Sequence, residues 1–138
     1  MCLRNIWEPP WVKFVILAEK KIILELKKKK INLICLAGFM KILSGSFIRS
    51  FKWKILNIHP SLLPKYKGLD THKRVLVNKE KYTGCTVHFV SSKLDAGKII
   101  VQKRIKVKKD DTPKKIAKRV LVEEHKLYPK AILKIFNL

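Results

Sequence analysis

Hydrophobic positions recur at helical spacing in two long segments of the chain. Between about Val12 and Lys30, apolar residues at positions 15, 18, 22 and 26 fall on one face of a helix. A second helix is predicted from Thr112, because Thr is a favoured N-cap and Pro113 suits the first turn. Its apolar face runs to the C-terminus through Ile116, Val120, Leu127, Ala131 and Ile135.

Short apolar runs between these helices predict buried strands. Residues 31–38 form a nearly continuous apolar run, which is typical of a parallel strand covered on both faces. A second strand is expected over 53–58, and Ser44 or Ser46 is placed to cap a short crossover helix between the two. This alternation predicts an α/β fold in which a mostly parallel sheet is flanked by helices.

The remaining pattern predicts a short helix followed by a pair of strands. Residues 70–78 suit a helix, and residues 85–90 alternate so that Thr86, His88 and Val90 share one face. The β-rich segment 98–107 is expected to pair with them. We expect a single domain over 1–138, in which residues 1–11 form an irregular arm because Pro9 and Pro10 interrupt regular structure.

The charge of the chain is strongly positive. Its 32 Lys and Arg against 10 Asp and Glu give a formal net charge of +22, which by itself favours a polyanionic partner. Yet 27 of the basic residues are Lys, spread through every segment, whereas base recognition and bidentate phosphate contacts rely on Arg. A compositional bias explains this pattern as well as a basic functional surface does, so no specific nucleic acid is expected as a partner.

Cysteine and histidine usage indicates no metal site. The three Cys residues are odd in number and lack a C-x-x-C spacing, and the four His residues are dispersed. A cytoplasmic location is predicted, because a reducing compartment suits unpaired Cys and no membrane segment or cleavable leader is recognised.

The segment 57–68, NIHPSLLPKYKG, places polar side chains at the end of an apolar strand. Asn57 and His59 point to the same side of an extended chain, while Ile58 points to the other. Pro60 and Pro64 then prevent continuation as a central strand. In a parallel sheet, such a strand end faces the ligand crevice.

Together with three other motifs, this segment resembles the folate-dependent formyltransferases. The other motifs are 36–43 (LAGFMKIL), 84–90 (GCTVHFV) and 94–97 (LDAG). Two further segments, 68–72 (GLDTH) and 123–129 (EEHKLYP), are similar to the branch of that family that formylates glycinamide ribonucleotide. The region that matches is 31–138, and the implied fold is formyltransferase-like, of the Rossmann type.

The resemblance implies transfer of a formyl group from the cosubstrate 10-formyltetrahydrofolate to the amine of glycinamide ribonucleotide, a step of purine biosynthesis. Asn57, His59 and Asp95 are implied as catalytic residues. An amide N–H or a cationic imidazole stabilises the oxyanion of a tetrahedral intermediate, which is commonly the largest catalytic contribution. Asp95 beside His59 favours the cationic ring and helps to move the proton of the amine through water.

The resemblance also implies the binding residues. Pro60 and Glu124 are expected to contact the nucleotide substrate, with Glu124 on its ribose hydroxyls. His72, His88 and His125 are either cleft or structural residues. The pterin of the cosubstrate is expected to lie against Leu36, Phe39, Met40, Ile42, Leu43, Ile55 and Val90, for which a plain core role is the alternative.

One part of the family pattern has no match in this sequence. Relatives begin with a β-α-β unit whose Gly-rich turn holds a phosphate, whereas the first Gly here is Gly38. Leu121 also stands where a polar substrate contact is expected. We therefore expect the first β-α-β unit to be lacking and the chain to be N-terminally truncated. An inactive folate-binding remnant and, further off, a basic nucleic-acid-associated protein stay open as alternatives, and a homodimer stays open as its assembly.

Overall fold

The computed structural model describes residues 10–39, 41–52 and 54–137. The part of the predicted arm at 1–9 lies outside these ranges. The first helix, α1, spans Pro10–Lys28 and so begins two residues before the predicted start at Val12.

The elements that follow α1 alternate between strand and helix as far as the middle of the chain. They are β1 (Ile34–Ala37), α2 (Gly45–Ser50), β2 (Ile55–His59), α3 (Thr71–Val77), β3 (Tyr82–Phe89), β4 (Ile99–Lys106) and α4 (Pro113–Phe136). Each predicted helix and strand is present, with ends that differ by a few residues. No helix in the described ranges combines the length and the apolar character that a membrane crossing requires.

The four strands form one sheet in the order β1-β2-β3-β4. β1 and β2 are parallel, with Leu36 opposite Asn57, as the crossover through α2 requires. β3 is antiparallel to both β2 and β4. The α/β fold with flanking helices is confirmed, but the expectation of a mostly parallel sheet needs correction: within the described residues the sheet is mixed. For β3 and β4 the reason is local, since the loop 90–98 between them is too short for a crossover; the segment that joins β2 to β3 contains α3 and is not limited in this way.

Helices cover both faces of the sheet. On one face, α3 and α4 pack on Leu56, Ile58 and Val87 in a core whose other members are Val75, Cys85, Ile116, Val120, Leu127 and Ala131. On the other face, Ile55 is buried with Phe47 of α2 and Phe51 at its C-cap, and Ile23 and Leu26 of α1 pack against them. Because strand residues alternate, Asn57 and His59 lie on the same face as Ile55, farther along β2.

The predicted caps are present at two helices. The Ser44 hydroxyl accepts the backbone N–H of Phe47 at 3.1 Å, which selects Ser44 over Ser46 as the cap of α2. The Thr112 hydroxyl accepts the N–H of Lys115 at 3.2 Å, and Pro113 opens α4 as predicted. The buried Glu19 of α1 accepts the Ser44 N–H at 3.0 Å and so ties α1 to the start of α2.

Candidate active site

A cavity of about 650 Å³ opens where β1 and β2 end. That volume lies within the usual range for a small-molecule site, roughly 300–1,000 Å³. Its wall includes Asn57, His59 and Pro60 from the end of β2, and Asp95 from the loop between β3 and β4. The sequence separates these residues by almost forty positions, and the antiparallel pairing of β2 with β3 brings them together.

His59 is buried, and both of its ring nitrogens face oxygen atoms. Its Nε2 lies 2.8 Å from the carbonyl oxygen of Tyr66, and its Nδ1 lies 3.4 Å from Oδ2 of Asp95. A carbonyl oxygen only accepts hydrogen bonds, so Nε2 carries a hydrogen and donates it. A carboxylate faces Nδ1, so both ring nitrogens of His59 are directed at acceptor oxygens.

Asp95 is positioned by a backbone contact from a distant loop. Its Oδ2 accepts the N–H of Gly68 at 2.9 Å, and its side chain is 8% exposed. The turn around it is tight: Asp95 has a φ of +43°, and a Cβ on Gly97 would lie 1.6 Å from the carbonyl oxygen of Phe89. A glycine at 97 is therefore required to bring this loop over the end of the sheet.

His88 presents an unpartnered nitrogen close to Asp95. Its Nδ1 donates to the carbonyl oxygen of Phe89 at 2.9 Å, and burial lowers the pKa of the ring despite that bond and the nearby carboxylate. The neutral ring then leaves a lone pair on Nε2. This atom is buried without a hydrogen-bond partner in the described structure and lies 3.8 Å from Oδ1 of Asp95.

Two more buried polar atoms in this wall lack partners among the described residues. They are Oδ1 of Asn57 and Nδ1 of His72. Burial, and secondarily the proximity of His59, lowers the pKa of His72. Buried polar groups are nearly always hydrogen-bonded in folded proteins. The unmet groups at Asn57, His72 and His88 are therefore available to hydrogen-bond water or a polar ligand in this cavity.

Glu124 reaches the same cavity from α4. The side chain is half-buried, and burial raises the pKa of its carboxyl group although His125 and His59 act in the opposite direction. His125 is exposed, and the described cavity wall does not include it. Of the three further histidines considered from the sequence, only His72 and His88 line the cavity.

One wall of the cavity is apolar. Of the residues expected against the pterin, Leu36, Phe39, Ile42, Leu43 and Val90 line it. Ile42 and Phe39 are 62% and 40% exposed, so their apolar surfaces are open to a ligand in the cavity. Ile55 does not line the cavity; it is 2% exposed in the core with Phe47, because it precedes Asn57 by one full strand repeat. Met40 lies outside the described residues.

Sequence reasoning missed the groups that hold the catalytic candidates in place. These are the carbonyl of Tyr66 and the N–H of Gly68, and backbone groups leave no side-chain signal. The pattern GLDTH marked this loop without indicating its contacts. Within the described ranges, no group of three or more His, Cys, Asp and Glu residues is arranged to hold a metal ion.

Comparison with known proteins points to one family. A family model described as "Formyl transferase" matches residues 10–132, so the match extends through α1, ahead of position 31 where the motifs begin. The chain is 52% identical over 101 residues to the trifunctional purine biosynthetic protein adenosine-3 of Bos taurus, covering 73% of this chain and 10% of that protein. It is 42% identical over 114 residues to the phosphoribosylglycinamide formyltransferase of Escherichia coli, covering 83% of this chain.

Solved structures agree with the sequence matches. The phosphoribosylglycinamide formyltransferase of Coxiella burnetii superposes with a TM-score of 0.82 at 40% identity, over 94% of this chain and 58% of that one. The enzyme of Brucella melitensis gives a TM-score of 0.79 at 48% identity, over 86% of this chain and 60% of that one. The chain spans 54% of the length of the Escherichia coli relative.

Proposed function

Because the chain belongs to the formyl transferase family, we propose that it transfers a formyl group from 10-formyltetrahydrofolate to the primary amine of glycinamide ribonucleotide. The observation that carries this proposal is the convergence of Asn57, His59 and Asp95 on one cavity with an apolar wall. The names of the relatives in purine biosynthesis support the same reaction.

The reaction forms one C–N bond and breaks another. The neutral amine attacks the formyl carbon, and the carbonyl oxygen becomes an oxyanion in a tetrahedral intermediate. In the proposed roles, the cationic His59 and the Asn57 amide stabilise this charge. Both ring N–H groups of His59 are directed at other acceptors, the Tyr66 carbonyl and Asp95, so in this proposal His59 acts through its positive charge and the Asn57 amide N–H supplies the direct hydrogen bond. Groups fixed in advance need little reorganisation when the charge appears.

Asp95 and His88 are proposed to accept the proton that the amine loses. The carboxylate and the free Nε2 of His88 are 3.8 Å apart and face the same cavity. A group donating from between them, either the amine itself or a water, meets two acceptors. Collapse of the intermediate then breaks the C–N10 bond and returns a proton to N10, which gives the formylated amine and tetrahydrofolate.

The two substrates are proposed to lie on different walls. Leu36, Phe39, Ile42, Leu43 and Val90 provide the flat apolar surface that a pterin ring requires. Glu124 and Pro60 face the cavity from α4 and from the end of β2, where the nucleotide substrate is expected. The half-buried carboxylate of Glu124 is suited to accept hydrogen bonds from a pair of hydroxyls.

A formyltransferase assay of the purified chain, combined with calorimetric binding of a folate analogue, tests the proposal. We expect both binding and turnover, and we expect His59→Ala to lower kcat by about 10²-fold or more, the usual scale for losing one group that stabilises the oxyanion. The exposed His125→Ala serves as the matched control and should retain activity.

The possible outcomes of the assay separate an enzyme from a folate-binding protein and test the role of His59. Binding without turnover would replace the enzyme with a folate-binding protein, and absence of both would reject the proposal. Undiminished turnover in His59→Ala would reject the assigned role of that residue. A homodimer and a cytoplasmic location remain predictions; sedimentation of the purified chain and imaging of a tagged chain test them.

A further inference from the structure

The loop from Tyr66 to Asp70 holds two of the proposed catalytic residues, His59 and Asp95, through its backbone groups. The Tyr66 carbonyl accepts from Nε2 of His59 at 2.8 Å, and the Gly68 N–H donates to Oδ2 of Asp95 at 2.9 Å. A movement of this loop therefore changes the positions of His59 and Asp95 together.

The backbone of this loop is in an unfavourable conformation. Tyr66, Gly68 and Asp70 have φ values of +56°, +77° and +55°. Only the glycine adopts that region without steric cost, so the loop requires contacts that fix Tyr66 and Asp70. Asp70 also precedes α3 without a capping bond from its side chain, so its own local interactions do not supply this support.

Arg74 in α3 contacts the loop at three points. Its Nη1 donates to the carbonyl oxygens of Lys67 at 2.7 Å and Leu69 at 3.3 Å, the two residues that flank Gly68. Its guanidinium carbon lies 5.3 Å from the centre of the Tyr66 ring. The phenol of that ring is in turn held by Glu80, to which it donates at 2.9 Å, and by the Asn78 amide at 3.0 Å.

We propose that Arg74 is a positioning residue for the active site, which fixes the Tyr66–Asp70 loop so that its backbone holds His59 and Asp95 in register. The charge of Arg74 alone does not serve this purpose. The guanidinium is needed because its central carbon lies over the Tyr66 ring while its Nη1 donates to two carbonyls, and the single nitrogen of a Lys ammonium cannot occupy both places. The expected effect of Arg74 on kcat rests on the proposed function, whereas its expected effect on the structure of the loop does not.

Solution NMR of Arg74→Gln tests the structural part. We expect the Gly68 amide to exchange with solvent at least about tenfold faster, and the ring nitrogen signals of His59 to shift, because one loop supports both. Arg74→Lys should resemble Arg74→Gln. The matched control is Arg104→Gln, since the Arg104 guanidinium lies 4.2 Å from the Tyr82 ring on β3, in the same kind of contact.

The kinetic part separates positioning from binding. Arg74→Gln should lower kcat by about three- to tenfold with little change in KM for either substrate, and Arg104→Gln should leave both unchanged. An unaltered Gly68 exchange rate and His59 spectrum in Arg74→Gln would overturn the inference, whether or not the chain turns over. Unchanged Gly68 exchange and kcat in Arg74→Lys would also overturn the inference, because the positive charge alone would then explain the effect. Equal changes in Arg104→Gln would overturn it as well, because general destabilisation would then explain them.

Discussion

Two histidines in the same cavity have opposite surroundings. His59 faces an acceptor at each ring nitrogen, whereas His88 uses Nδ1 on a backbone carbonyl and leaves Nε2 without a partner. Burial lowers the pKa of His88, so its surroundings suit a neutral ring, whereas those of His59 direct both nitrogens at acceptors. The sequence predicted that Asn57 and His59 share a face, but it did not distinguish these two arrangements, because they depend on the Tyr66 and Phe89 carbonyls.

His88 should make the stability of the fold dependent on pH. Burial lowers its pKa from the ordinary value of 6.5, so as the pH falls the unfolded chain binds a proton at this ring first. The free energy of unfolding should therefore decrease as the pH falls through 6.5 toward the lower pKa of the folded state. His72 acts in the same direction, since burial lowers its pKa too.

Denaturant unfolding at several pH values checks this dependence. His88→Gln should lose less stability than the unmodified chain between about pH 7 and about pH 5, because the contribution of the His88 ring is removed. An identical slope in His88→Gln and the unmodified chain would show that the ring titrates alike in the folded and unfolded states.

The elements were predictable where local chemistry decides them. Ser44 and Thr112 cap their helices as expected, and the apolar run at 31–38 contains β1. The pairing directions were harder to predict, because the antiparallel contacts of β3 depend on its partners and not on its own pattern. Ile55 takes the core role that the sequence left as the alternative, because its neighbours come from α2, whose packing the sequence does not reveal.

The loop between β3 and β4 should not tolerate a side chain at Gly97. A Cβ there would lie 1.6 Å from the Phe89 carbonyl oxygen, so the loop that carries Asp95 would have to move. We expect Gly97→Ala to lower the free energy of unfolding by about 1–3 kcal/mol, the range for overpacked sites. The rate of formyl transfer should fall as well, because the loop carries Asp95.

Gly45→Ala provides the comparison for Gly97→Ala. At Gly45 the nearest atom to an added Cβ is Nη1 of Arg49 at 3.1 Å, the end of a flexible side chain. This variant should stay within about 1 kcal/mol of the unmodified chain, since Ala favours a helix. Equal stability of the two variants would mean that the loop accommodates a methyl group and that Gly97 does not define its path.

At the scale of the whole molecule, the charge and the site are separate features. The described cavity wall carries Lys41, Lys73 and Lys93 against Asp70, Asp95 and Glu124, so its formal charges balance when the histidines are counted as neutral. The net charge of +22 is therefore spread over the rest of the chain. A surface of this kind attracts polyanions without selecting a sequence.

Retention on immobilised DNA should accordingly be weak and sensitive to salt. We expect it to disappear when the salt concentration rises from about 50 mM to about 200 mM, the range over which non-specific contacts lose most of their affinity. Competing DNAs of different sequence should displace the chain equally. Retention that survives this salt or prefers one sequence would assign the positive charge a function of its own.

The formyl-transfer rate of Asp95→Asn tests the account most directly. This substitution keeps the shape of the side chain and removes the carboxylate that faces His59 at 3.4 Å and that we propose as the acceptor of the amine proton. We predict turnover by the unmodified chain and a fall in kcat of about 10²-fold or more in Asp95→Asn. The control, Asp110→Asn, alters an exposed surface ion pair with Lys115 and should leave kcat unchanged. Equal rates for Asp95→Asn and the unmodified chain would contradict the account.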